Sequence, residues 1–342
     1  MTQPVESNVQ LLDCTLRDGS YAVNFQFTRR DTSRLCEALD RAGVPLIEVG
    51  HGMGLGASSP QHGLAYESDC DYLQGAAEAV QRADWGAFFI PGIGTTADIR
   101  NAADHGADFL RIGSEVDSTH RARSSADFAH SSGMDIYLNL MKTYAMPLAQ
   151  LAHVVREIDG WNICKAIYVV DSAGCMTPDE VAAYTRCVKD NAGCGVGFHG
   201  HNNLDLANAN SLAAVAAGAT YVDSTIRGIG RSAGNAQTEI LAFLLARRGH
   251  IEPCDLFSLF EIGERVIAPL NIQTQGLPPL DIVIGMARFH TSHLQRLRRA
   301  ADEHCVDLRR LIIDVSRLDC VAPSDALIEA TANDLSRVEP GT

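Results

Sequence analysis

What the chain lacks narrows its possible roles before any motif is read. Its 10 cysteines are widely scattered and none forms a Cys-x-x-Cys pair, so free thiols in a reducing, cytoplasmic compartment are expected. No apolar run reaches membrane-spanning length, and residues 1–8 are polar, without the apolar core of a signal peptide. Positive charge is scarce: 28 Lys and Arg face 42 Asp and Glu, for a net charge of −14. General binding to nucleic acid or to anionic membranes is therefore not expected. The one local basic group is Arg296, Arg298, Arg299, Arg309 and Arg310. Asp302, Glu303 and Asp307 interrupt it, so it reads as a solvated helix face. There is no low-complexity segment and no internal repeat beyond a strand–helix unit.

That unit is what the chain does have. Hydrophobic residues make up 46% and charged residues 20% of 342 positions, enough for a sizeable core in one large domain or a barrel with an appendage. Short apolar runs at 9–14, 45–49, 86–90, 109–112, 136–140, 166–170, 196–199 and 221–224 predict strands. Between and after them, 30–42, 69–82, 96–105, 120–131, 148–158, 178–191, 206–217 and 236–248 predict helices. Thr177-Pro-Asp-Glu180 is a helix start, and Gly43, Gly106 and Gly218 are stops. Eight repeats in this order predict an α/β fold, a (β/α)8 TIM barrel, with a doubly wound open sheet as the competitor. The barrel is preferred because polar clusters follow nearly every strand, and one site gathers them all only if the sheet closes. Alternation stops near residue 255. A Gly- and Pro-rich linker is expected at 273–279, and helices at 281–302, 308–317 and 323–336. The expected domains are a catalytic barrel, 1–265, and a small C-terminal helical domain, 266–342.

The strongest chemical signal is His199-Gly-His201 at the end of a strand-like run. Side chains two apart on a strand share a face, so the imidazoles converge on one point. They either bind a divalent metal or form a satisfied polar pair. Asp18 also follows a strand-like run and completes a two-His, one-carboxylate set. Arg17 beside it is either a surface ion pair with Asp18 or a cation over an oxygen that gains negative charge. The loop Gly228-Ile-Gly-Arg-Ser-Ala-Gly-Asn235 is glycine-rich without a dinucleotide fingerprint, and reads as a mobile loop shaping the site. Asn235 either supports the metal or caps the next helix. His51, among glycines, either lines the pocket or serves the loop. Cys14 and Cys175 flank site segments and read as small buried residues.

Together, Leu12-Asp-Cys-Thr-Leu-Arg-Asp-Gly19, the His199-Gly-His201-Asn motif and the glycine loop resemble the (β/α)8 superfamily of metal-dependent pyruvate lyases and Claisen condensing enzymes. The segments from Glu48 to Ser59 and from Tyr168 to Thr177, with the helical tail at 292–319, are most similar to 4-hydroxy-2-oxovalerate (4-hydroxy-2-oxoacid) aldolases. The resemblance implies Mn²⁺ or Mg²⁺ on Asp18, His199 and His201, with a 2-oxo acid chelating the metal. It also implies that Arg17 stabilises a pyruvate enolate and that Ser172 positions the carboxylate. Cleavage would give pyruvate and an aldehyde, with the metal as electron sink and no Schiff-base lysine. An acylating aldehyde dehydrogenase partner on the C-terminal helices and a homo-oligomer are further implications.

One departure stands out. The family pattern is Arg-Asp-Gly-x-His, with the His as base; here the position is Tyr21. Tyrosine, with an ordinary pKa of about 10, is a poor base near neutrality. Where the family has a Tyr, this chain has His290. The two residue types are exchanged, and His290 is expected to supply the base with Tyr21 as its hydrogen-bond partner. The competing reading of His290 is an ordinary helix-surface residue. Competing functions are a Claisen condensing acyltransferase using acetyl-CoA, which usually follows the Arg-Asp-Gly with Glu-Gln, and a non-catalytic barrel partner. A hydroxymethylglutaryl-CoA-type lyase is disfavoured because no Cys lies between Tyr221 and Asn235.

Overall fold

A computed structural model describes residues 9–270 and 279–338. Eight parallel strands close into a barrel in sequence order. They are β1 Gln10–Asp13, β2 Leu46–Val49, β3 Asp84–Phe89, β4 Phe109–Glu115, β5 Asp135–Met141, β6 Cys164–Asp171, β7 Gly195–Gly200 and β8 Tyr221–Ser224. The closing seam pairs Gln10 with Tyr221 and Asp13 with Ser224. The eight expected strands are all present, and the open-sheet alternative is excluded.

Eight helices clothe the barrel: α1 Arg29–Ala42, α2 Asp69–Ala79, α3 Thr96–Asp104, α4 Arg123–Ser131, α5 Leu148–Asp159, α6 Pro178–Asn191, α7 Ala207–Ala217 and α8 Thr238–Arg247. Their starts are written locally. Thr28 with Asp31, Ser68 with Asp71, and Thr177 with Glu180 form reciprocal capping boxes. Gly43 and Gly218 close α1 and α7 in the left-handed region, at φ 85° and 109°. The strand alternation is equally legible. Leu11, Ile47, Leu110, Leu138, Ile167 and Val222 face the helices, while Leu12, Leu46, Phe109, Tyr137 and Tyr168 fill the barrel.

Several helix boundaries differ from expectation. α2 stops at Ala79 because Val80 is extended and the buried Asp40 carboxylate takes the amides of Arg82 and Ala83, at 3.0 and 2.7 Å. α8 begins at Thr238 behind an extended Gln237, so Asn235 is not its cap. The helix expected over 281–302 is broken. α9 Leu256–Ile262 is followed, beyond the undescribed stretch, by α10 Pro279–Met286; Arg288 then turns left-handed at φ 56°. A 3-10 turn, Thr291–His293, leads into α11 Leu294–His304, α12 Leu308–Leu318 and α13 Asp325–Val338. These last helices gather their own apolar cluster around Phe289, Leu297, Leu311, Ile312 and Ile328. The linker expected at 273–279 lies almost wholly outside the described residues. No helix among the described residues is long and apolar enough to cross a membrane.

Candidate active site

On several strands, one inward residue is charged or an imidazole: Glu48 on β2, Arg111 on β4, His199 on β7 and Asp223 on β8. All are buried. With Arg17 and Asp18, from the turn after β1, they close a ring. Arg17 Nε donates to Glu48 Oε2 at 2.6 Å, and Arg111 Nη1 donates to the same oxygen at 3.2 Å. Arg111 Nη2 donates to Asp223 Oδ2, which also takes His199 Nδ1–H at 2.8 Å. His199 Nε2 lies 3.4 Å from Asp18 Oδ2, and Arg17 Nη1 donates to that oxygen at 3.0 Å. Phe88 covers the Arg17 guanidinium at 4.7 Å and Tyr168 covers that of Arg111 at 4.5 Å. Stripping water from isolated ions costs several kcal/mol each, so only continuous pairing keeps such a ring folded.

The ring's electrostatics favour a cation. Two guanidiniums face three carboxylates, leaving one surplus negative charge beside the two imidazoles. Burial would raise the Asp18 carboxyl, but Arg17 and the two histidines outweigh it and hold it well below the usual range. Burial pushes His201 down to about 4, so it is neutral at pH 7. Burial also opposes the charged form of His199, but its bonds to Asp18 and Asp223 prevail and raise its pKa. His201 Nδ1–H donates to Gly234 O at 3.2 Å. With both Nδ1 positions so held, the His201 Nε2 lone pair is free and His199 Nε2 is held on Asp18, and both nitrogens would serve a metal once His199 is deprotonated.

The residues fit a divalent ion. One donor atom from each of Asp18, His199 and His201 lies within 4.8 Å of the others. Asn235 pairs with His201 through a backbone bridge, and its Nδ2 donates to Ile229 O at 3.2 Å. Its buried Oδ1 has no partner. Gly230 makes room for this approach: a Cβ there would lie 2.1 Å from Asn235 Nδ2 and 3.2 Å from Asp18 Oδ1. Cys14, His199 and Asp223 also lie within mutual reach. That set is the weaker one, since burial pushes the Cys14 thiol well up and Asp223 Oδ2 is already shared by Arg111 and His199.

The remaining expected residues spread around this centre. Tyr21 is half-buried, with its ring edge on Phe25 at 5.0 Å. Ser172 Oγ accepts the Lys142 amide at 2.9 Å and keeps its own hydrogen to donate. His51 stacks on Phe25 at 4.1 Å. Its Nε2–H donates to Gly63 O at 3.1 Å and its Nδ1 accepts the Met53 amide, so both nitrogens serve the loop. His290 caps the 3-10 turn at the start of the tail and is half-buried, not an exposed helix residue. The expected Tyr21–His290 hydrogen bond is not made among the described residues. His290 Nδ1 instead pairs with Ser292 Oγ at 2.7 Å. Arg231 occupies the space on the Tyr21 side, its guanidinium 5.3 Å over the Tyr21 ring and its Nε donating to Thr291 Oγ1 at 2.9 Å.

Sequence reasoning missed Glu48, Arg111, Asp223 and Arg231. The signal for the first three existed. Each is a charge at an inward-facing position of a largely apolar run, where burial demands a partner.

A closed (β/α)8 barrel with a buried two-histidine, one-carboxylate cluster at the C-terminal ends of its strands has the build of a metal-dependent barrel enzyme. The HMGL-like family model matches residues 8–266. The 4-hydroxy-2-oxovalerate aldolase of Carboxydothermus hydrogenoformans is 37% identical over 329 residues, covering 96% of this chain and 98% of that one. The enzyme of the same name from Chloroflexus aurantiacus is 38% identical, covering 96% and 95%. The chain is a member of the HMGL-like family, on its 4-hydroxy-2-oxovalerate aldolase branch. The carboxyl transferase domain of Rhizobium etli pyruvate carboxylase superposes with a TM-score of 0.77 at 16% identity, over 98% of this chain and 61% of that one, and shows the shared fold.

Proposed function

We propose that this enzyme is a divalent-metal-dependent lyase that cleaves, or in reverse forms, a 4-hydroxy-2-oxoacid, giving pyruvate and an aldehyde. The observation that carries this reading is the closed ring from Arg17 to Asp18, with His199 and His201 converging on the Asp18 carboxylate. A divalent cation, Mn²⁺ or Mg²⁺, held by Asp18, His199 and His201 with the Asn235 oxygen close by, supplies Lewis acidity toward a 2-oxo acid.

The chain's own groups do the rest. Arg17 spends Nε on Glu48 and Nη1 on Asp18, which leaves Nη2 for the substrate oxygen that gains charge as C3–C4 breaks. Ser172 donates its hydroxyl hydrogen to the substrate carboxylate. His290 takes the proton of the C4 hydroxyl. Its Nδ1 accepts the Ser292 amide at 3.3 Å and pairs with Ser292 Oγ at 2.7 Å, which fixes the ring with Nδ1 as its acceptor. Burial, with Arg231, Lys142 and His201 nearby, pushes its pKa well below the ordinary value, so the base form prevails at neutral pH. Burial raises the Tyr21 pKa, so Tyr21 stays protonated and orients rather than deprotonates. His51 supports this wall through its loop.

A cytoplasmic homo-oligomer whose helical tail receives an acylating aldehyde dehydrogenase is consistent with this reading, and co-purification with and without residues 270–342 tests the partner. The condensing and non-catalytic alternatives find no support: relatives along nearly the whole chain are named as aldolases, and the ring is complete. The test is metal-dependent pyruvate release from 4-hydroxy-2-oxoacids of graded length. Loss of release in His290→Ala with retention in Tyr21→Phe supports the base assignment; the reverse pattern sinks it.

A further inference from the structure

Among the charges around the site, Arg231 stands apart. Arg17 is paired with Glu48, and Lys142 with Glu115 at 3.1 Å. The guanidinium of Arg231 has no carboxylate within ion-pair distance among the described residues, although the chain is strongly acidic. It is nevertheless half-buried and held in place. Its backbone N–H is fixed on Asp18 Oδ1 at 3.0 Å, its Nε on Thr291 Oγ1 at 2.9 Å, and its plane lies over the Tyr21 ring. The guanidinium also hydrogen-bonds the Tyr21 hydroxyl, and no carboxylate among the described residues takes its remaining N–H groups. The next residue, Ser232, takes a left-handed φ of 57°, a conformation costly for a non-glycine residue in a loop otherwise rich in glycine. Ser232 also bridges barrel and tail: its Oγ accepts from Asn203 Nδ2 at 2.8 Å and donates to Asp281 Oδ1 at 3.4 Å. A fixed, half-buried guanidinium with no carboxylate partner is a site prepared for an anion.

Its position says which half of the substrate it meets. Arg17 and Ser172 serve the 2-oxo acid half. Arg231 lies instead with Tyr21 and His290, the groups assigned to the C4 hydroxyl, and it is close enough to His290 to disfavour that imidazolium. We propose that Arg231 reads a carboxylate on the aldehyde half, so that the substrates are 4-hydroxy-2-oxo dicarboxylic acids and the released aldehyde is itself an oxo acid. This rests on the aldolase reading. A single unpaired cation suits a monoanionic carboxylate better than a phosphate dianion, because Lys142 is already neutralised by Glu115.

The test separates the two claims. Exchange of the pyruvate methyl hydrogens in D₂O with metal needs no aldehyde and reports the enolising site alone. Aldol addition to pyruvate is then compared for glyoxylate against isobutanal, and for 4-oxobutanoate against 4-methylpentanal, each pair matched in shape. The wild type is expected to favour the carboxylated aldehyde by at least about tenfold in kcat/KM. Arg231→Met is expected to collapse that ratio toward one, and Arg231→Lys to keep part of it. Equal use of the neutral partners by the wild type overturns the inference, and so does faster use of glycolaldehyde phosphate. An Arg231→Met enzyme with a raised KM for pyruvate exchange overturns it as well, by assigning Arg231 to the pyruvate half. Exchange without selectivity leaves the aldolase reading standing, whereas no exchange overturns both.

Discussion

The two floors of the barrel interior are built from the same strands, two residues apart, yet obey different physics. On the lower floor, Leu46, Phe109 and Tyr221 point inward beside Tyr137 and Tyr168, with ring centroids 5.2 to 6.1 Å apart among Phe109–Tyr137, Tyr137–Tyr168 and Tyr137–Tyr221. Two residues further along their strands stand Glu48, Arg111 and Asp223. The lower floor is held by dispersion and apolar burial, which tolerate substitution in proportion to the volume lost. The upper floor is held by mutual pairing, where removing one member strands the rest. It is also imperfectly satisfied: Glu48 Oε1, Arg111 Nε and Asp223 Oδ1 are buried without partners. The lower floor contributes apolar burial alone, whereas the upper floor carries the capacity to bind a cation and an anionic substrate and is the more sensitive to losing one member.

The contrast can be broken from either side, and the largest effect belongs above. Asp18→Asn should lower metal-dependent pyruvate release by on the order of 10³-fold or more, while circular dichroism still shows a folded barrel. Arg111→Met should strand Glu48 and Asp223 together. Unfolding titrations should show a loss of about 3–5 kcal/mol, and metal affinity should drop about 10–100-fold through the loosened His199.

Asp13, at the end of β1, tests the border. It is buried, accepts Thr15 N and Thr238 Oγ1, and burial raises its carboxyl to about 6. The folded state therefore holds a proton that the unfolded chain gives up near pH 4. Stability from this group is full below pH 4, falls as pH rises toward 6, and beyond that carries a cost of about 3 kcal/mol. Asp13→Asn should flatten that part of the stability profile between pH 4 and 6; an unchanged difference would discount the group.

Tyr137→Leu on the lower floor should cost about 1–3 kcal/mol of stability, with kcat/KM per folded molecule within about threefold of wild type. A large catalytic loss there would dissolve the distinction between the floors. The exposed Arg123–Asp127 pair, at 2.7 Å, marks the bottom of the scale: Arg123→Ala should change stability by less than about 0.5 kcal/mol.

Much of this was legible in the amino-acid order because it is local. Strand periodicity, the Thr177–Glu180 start and the Gly43 and Gly218 stops each depend on a few neighbouring residues, and the barrel followed from their repetition. His199 and His201 were legible because a strand places alternate residues on one face, and Asp18 because it closely follows a strand-like run. The ring was not, since Glu48 meets Arg111 across 63 positions and Arg111 meets Asp223 across 112, and only closure of the barrel brings them together. Arg231 was hidden for the same reason. Its partners Tyr21 and Thr291 come from the first loop and the tail, and the break at Arg288 that delivers Thr291 has no helix-stop glycine at that position.

The most direct test is a Mn²⁺ titration followed by electron paramagnetic resonance, with pyruvate release from 4-hydroxy-2-oxoacids, mono- and dicarboxylic, read in the same samples. One bound ion per chain, lost together with pyruvate release in Asp18→Asn, is the predicted result. Tight Mn²⁺ binding that survives Asp18→Asn, or pyruvate release that needs no metal, would contradict it.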